Sequence, residues 1–279
     1  MPSVHCRGVE LYYEDAGSGD PVVWLPGTGL LGTTWEPQTS HFSEVYRCLT
    51  VDLPGAGRSS LPAEPTVREM ALVVAELLDA IGVGSAHLVG LSLGSAVVQE
   101  LALLRPDLVR SAVLVGTWSS SSREHHIRRH FESRLAALER GPLDVFGLFA
   151  FWMSAHSILD EEPELQRVVE DRLDAHTSRR PEGTASHFRA DLGHETYDRL
   201  PAISCPTLVV HGDEDLITMP RYNRAVAAQV PGARLVTIPR AGHLVWIERP
   251  DELTAVIASF LDGVAAGVPA NPSEKEMAT

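Results

Sequence analysis

The sequence predicts an α/β fold: a mainly parallel twisted sheet flanked by helices, with a helical segment inserted past its middle strands. Three observations carry that expectation. Short apolar, β-branched runs alternate with helix-length amphipathic stretches, the pattern of a parallel sheet covered on both faces. The alternation is suspended from about residue 119 to 199, where no run reads as a strand, and then resumes. The chain has 279 residues, 44% hydrophobic and 22% charged, which suits a globular protein and excludes a collagenous or wholly disordered one.

The elements follow in order. Val4 to Glu14 reads as a hairpin turning at Arg7-Gly8. Val22 to Leu25 and Cys48 to Val51 are short buried strands. From Thr66 to Ile81, Val67, Met70, Val74, Leu77 and Leu78 recur at helical spacing, and Gly82 stops the helix. His87 to Val89 is the next strand, Ser92 to Leu104 the next helix, and Ala112 to Val115 another strand. Thr207 to Val210 and Leu235 to Ile238 resume the sheet, with helices at Arg221 to Val230 and Pro250 to Leu261. The predicted organisation is a sheet domain at 1–118 and 200–266, a helical cap at 119–199, and a polar, disordered tail at 267–279. The cap must leave the sheet and return, which puts it over the strands' carboxyl ends, where open α/β sheets bind ligands.

Composition removes several chemistries. Against 37 acidic residues stand 23 basic ones, a formal net charge of −14. No basic surplus exists to meet nucleic acid or an anionic membrane, so the expected partner is a small, neutral rather than polyanionic molecule. Lys275 is the only lysine. Schiff-base chemistry therefore lacks its amine, and a P-loop lacks its G-K-[ST]. The cysteines Cys6, Cys48 and Cys205 are odd in number and form no C-x-x-C. They suggest neither a disulfide framework nor a zinc site, and fit a reducing, cytoplasmic setting. No apolar run approaches the ~20 residues of a membrane helix, and no secretory signal is visible at the start.

The chemistry concentrates at strand ends. Gly90-Leu91-Ser92-Leu93-Gly94 matches G-x-S-x-G between a predicted strand and a predicted helix. Such a turn presents the serine hydroxyl above the sheet, with the Leu93 N–H turned toward an oxyanion formed there. A serine nucleophile needs a base and a group to orient it. His211-Gly212-Asp213-Glu214-Asp215 follows one strand and Gly242-His243 the next.

With these motifs, and with Asp52-Leu53-Pro54-Gly55-Ala56-Gly57-Arg58-Ser59 similar to a D-x-x-G-x-G-x-S loop, the chain resembles the α/β-hydrolase fold over about residues 4 to 265. Within it the likeness is to the capped esterase, lactonase and C–C hydrolase group. The resemblance implies Ser92 as nucleophile, His243 as base and Asp215 as acid, with no cofactor and no metal. Asp213 and Glu214 compete for the acid's role, and His211 reads as a turn residue. The Leu25-Pro26-Gly27-Thr28-Gly29 loop departs from the usual His-Gly. Pro26 brings neither imidazole nor N–H, but the substitution leaves intact the Thr28 N–H, which the resemblance implies as the second oxyanion donor.

The cap is expected to set specificity. Its seven histidines read as solvated helix positions rather than a metal cluster. Phe149, Trp152 and Met153, with Trp118 and Trp246 at the site ends, are candidates for an apolar pocket lining. The expected reaction is hydrolysis of a small, fairly apolar ester or lactone through an acyl-enzyme. C–C bond hydrolysis, perhydrolase or haloperoxidase chemistry, acyl transfer and a non-catalytic binding role use the same residues and stay open.

Overall fold

The computed structural model describes residues 2–63, 66–140 and 153–267. Strands β1 (Ser3–Cys6) and β2 (Val9–Gly17) form the expected hairpin, with Val4 opposite Leu11. Its turn holds Arg7 and Gly8 at φ 49° and 79°, as a tight two-residue hairpin requires. The remaining strands are β3 (Pro21–Leu25), β4 (Arg47–Val51), β5 (Ala86–Leu91), β6 (Val109–Val115), β7 (Thr207–Gly212) and β8 (Arg234–Ile238). They join one eight-stranded sheet in the order β1-β2-β4-β3-β5-β6-β7-β8. Pairing is parallel from β4 through to β8, and antiparallel only where β2 meets β1 and β4.

Alternate residues of the central strands serve two cores, as period-2 strands buried on both faces should. Val23, Leu25, Leu88, Ala112, Leu114 and Val209 pack on one face, against helices α2 (Val67–Ala80) and α3 (Leu93–Leu104). Val22, Trp24, Val89, Val113, Val115 and Val210 pack on the other, where Phe42 of α1 (Glu36–Phe42) also lies. Thr66 caps α2 by accepting the Glu69 N–H at 3.1 Å.

Between β6 and β7 the described residues form helices and no strand. These are α4 (His125–Arg140), α5 (His156–Glu161), α6 (Pro163–Ala175) and α7 (Pro181–Leu192). Backbone contacts tie this segment to the sheet's loops. The Leu31 N–H donates to His176 O at 2.9 Å and the Ser178 N–H to Gly29 O at 2.7 Å, around a bridge between Leu30 and Thr177. The backbones of Gly183 and Gly55 meet so closely that a Cβ on Gly183 would stand 1.8 Å from Gly55 O. After β7 come α8 (Pro220–Gln229), α9 (Val245–Glu248) and α10 (Pro250–Ala265). Short α1 and α9 are the helices that sequence periodicity passed over, since one or two turns carry no repeat. The predicted tail, Gly267 aside, lies outside the described residues, as do Phe149 and Trp152.

Candidate active site

Parallel strands end on the same side, so the loops after β3, β5, β7 and β8 converge. Ser92 sits between β5 and α3 with φ 50° and ψ −116°, a combination that costs free energy for any residue with a Cβ. Its surroundings hold it there. The Ser92 N–H donates to Val115 O at 2.9 Å, and Ser92 O accepts the Ser95 N–H at 2.8 Å and the Ser95 hydroxyl at 2.6 Å. The flanking glycines are sterically required. A Cβ on Gly90 would lie 2.3 Å from Gly94 O, and one on Gly94 2.2 Å from Leu25 O.

Asp215 lies in the turn after β7 and is almost wholly buried. Its Oδ1 accepts the N–H groups of Ile217 and Thr218 at 2.7 and 2.9 Å. Its Oδ2 accepts the Thr218 hydroxyl at 2.8 Å and stands 2.8 Å from His243 Nδ1. Burial pushes this carboxyl up, but the adjacent His243 and these hydrogen bonds outweigh it and hold it below the ordinary carboxylate range. The neighbouring acids turn elsewhere. Asp213 accepts the Ala241 N–H at 3.4 Å, and Glu214 the Ser157 N–H at 2.9 Å. His211 is enclosed by Gly212 O at 2.9 Å and the Thr237 hydroxyl at 3.1 Å.

His243 follows β8. Its N–H donates to Met153 O at 2.8 Å, and Glu248 secures the turn by accepting the Gly242 N–H at 2.6 Å and the Ala155 N–H at 2.8 Å. Burial raises the Glu248 carboxyl to about 8 against the pull of those two amides. His243 and Ser92 open onto the same cavity, about 670 Å³ with its mouth included, which Thr28, Phe131, Met153, Leu173 and Phe188 also line. The amides of Thr28 and Leu93 have no acceptor among the described residues.

Two pocket expectations need correction. Trp118 is fully buried and packs on Phe131 and His194 with ring centroids 5.4 and 5.2 Å away, its Nε1–H donating to Ser121 Oγ. Trp246 is fully buried beneath His176. Both large rings follow strand ends into the apolar core rather than into the cavity wall. Met153 does line the cavity. Sequence reasoning also missed residues. Thr218, three positions after Asp215, holds the acid's Oδ2; that spacing is the signal it left. Arg134, on α4, brings a guanidinium to the cavity wall, 3.3 Å from His130 Nε2 and near Met153 Sδ. Burial lowers it to about 9, opposed by Asp191. Among the described residues no group of three potential metal ligands comes together, and no helix is long and apolar enough to cross a membrane.

Residues 22–256 match the model of the alpha/beta hydrolase family. A Mycobacterium tuberculosis protein, provisionally named a non-heme bromoperoxidase, is 32% identical over 92% of this chain and 100% of its own. Among solved structures, a thermophilic esterase from Thermogutta terrifontis superposes with TM-score 0.83 at 28% identity, covering 94% of this chain and 98% of that one. Est816, described as an N-acyl homoserine lactone degrading enzyme, gives TM-score 0.76 at 30% identity, covering 93% and 100%.

Proposed function

The chain belongs to the alpha/beta hydrolase family, and from that premise we propose that it is a serine hydrolase of small carboxylic esters or lactones. One observation carries the reading: a strained Ser92 and a His243 anchored to buried Asp215 border one cavity. Ser92 Oγ attacks the carbonyl while His243 takes its proton. Asp215 fixes the imidazole's orientation and stabilises the imidazolium. The Leu93 and Thr28 amides receive the negative charge of the tetrahedral intermediate. The leaving alcohol takes the proton back from His243, and a water deprotonated by His243 then releases the acid.

The wall is largely apolar, which suits an aliphatic or aromatic acyl group. Arg134 adds a place for one hydrogen-bond acceptor or carboxylate on the same substrate. The esterase and lactonase among the similar structures support this substrate class. A panel of p-nitrophenyl esters and lactones, with fluorophosphonate labelling, tests the reading. Turnover is expected in the wild type and a fall of about 10⁶ in Ser92→Ala. Labelling is expected at Ser92. Retained activity or labelling in the variant excludes this mechanism, and a folded wild type that is never labelled points to a binding role instead.

A further inference from the structure

Resting on the hydrolase reading, we propose that one face of α7 positions the oxyanion loop, with His187 and Asp191 as its positioning residues. The loop after β3 has little polar support of its own, because Pro26 offers no N–H and no polar side chain. The support comes from more than 150 positions away. The Gly29 N–H donates to His187 Nδ1 at 3.1 Å, and the Thr28 hydroxyl donates to Asp191 Oδ2 at 2.7 Å. Thr184, His187 and Asp191 are spaced by three and four, so they share one helix face. The third member closes the remaining space: a Cβ on Gly29 would stand 3.0 Å from the Thr184 methyl.

These contacts bracket the Thr28 amide. Its own side chain is held by Asp191, and the residue that follows, Gly29, has its N–H held by His187 and its carbonyl by Ser178. The Leu30 N–H is spent on Gly27 O at 3.1 Å. The Thr28 N–H is left with no acceptor among the described residues, and its direction is set by groups fixed on either side. His187 is itself anchored. Its Nε2 lies 2.9 Å from Pro54 O, so the imidazole bridges the loops after β3 and β4. Those partners require an Nε2–H tautomer with Nδ1 accepting. Burial agrees, lowering His187 to about 4 and keeping it neutral.

The experiment measures steady-state kinetics on an activated ester and the rate of fluorophosphonate labelling, with melting temperature recorded for each variant. His187→Ala is expected to lower kcat and the labelling rate together, by about 10- to 100-fold, with KM within about twofold, since a misplaced donor harms the transition state more than the bound substrate. His187→Asn keeps an acceptor near the Nδ1 position and is expected to recover part of the loss. Thr28→Val keeps the backbone N–H and removes only the bond to Asp191; it is expected to show the same kcat-specific loss in a smaller degree. A labelled wild type with His187→Ala and Thr28→Val labelled at the same rate overturns the proposal alone. So does an equal loss in the Ala and Asn variants that tracks melting temperature. A wild type never labelled at Ser92 overturns the hydrolase reading, and this proposal with it.

Discussion

At the scale of single residues, the proposed function separates substrate selection, at Arg134, from chemistry, at Ser92. In the proposed reaction Ser92 and His243 act on the scissile group, whatever is attached to it, and Asp215 holds His243 in place. Among the described wall residues, Arg134 brings a guanidinium beside Phe131, Leu138, Met153 and Phe188. One charge-assisted hydrogen bond in such surroundings contributes about 1.5–3 kcal/mol, a factor of about 10 to 100. Arg134→Met is therefore expected to lower kcat/KM for an ester bearing a terminal carboxylate by that factor, relative to a neutral ester of equal length. An unchanged ratio removes Arg134 from recognition. The three residues proposed for the chemistry stood out in the sequence because each sits in a short motif at a strand end. Arg134, His187 and Asp191 did not. Their place at the site depends on how helices pack across 50 to 160 positions of sequence, which no local pattern encodes. The tryptophans misled for a related reason: lying next to a strand end in sequence does not say which way a ring turns, and burial of a large apolar surface decided it.

Elements were more readable than residues. The strands and the long helices of the sheet domain emerged within a few positions of their observed ends, because period-2 and period-3.6 patterns directly record which faces are buried. The sequence also indicated that residues between β6 and β7 would be helical, but not how closely they would seat. Gly183 measures that seating. In an ordinary helix, Gly→Ala stabilises by up to about 1 kcal/mol. Here the new methyl would meet the Gly55 carbonyl at 1.8 Å, and a backbone atom cannot swing aside. The clash should win: Gly183→Ala is expected to destabilise by about 1–3 kcal/mol and to lower kcat as α7 lifts from the loop beneath it. Denaturant midpoints and ester kinetics check both parts. A more stable variant would mean that α7 seats more loosely than the Gly55 contact implies.

Across the whole molecule, buried titratable groups work in opposite directions. Burial raises the carboxyls of Glu124, Asp191 and Glu248 to about 8. The unfolded chain gives up those protons near pH 4, so the folded state holds extra protons up to pH 8, and stability falls as pH rises through that window. Burial lowers His87, His187 and His194 to about 4. The unfolded chain takes up those protons below about pH 6.5, so stability falls as pH drops from there toward 4. The melting temperature is expected to peak between about pH 5 and 6.5 and to decline toward both pH 4 and pH 8. A steady rise to pH 8 would contradict this balance. The seating of α7 also bears on how such an enzyme can acquire new substrates. Its inner face holds the loop after β3, so changes there are expected to alter selectivity and turnover together. The inward side chains of α4 touch the cavity without gripping that loop. Libraries built at Phe131 and Leu138 should therefore explore new specificities while sparing the chemistry, making α4 the more evolvable wall.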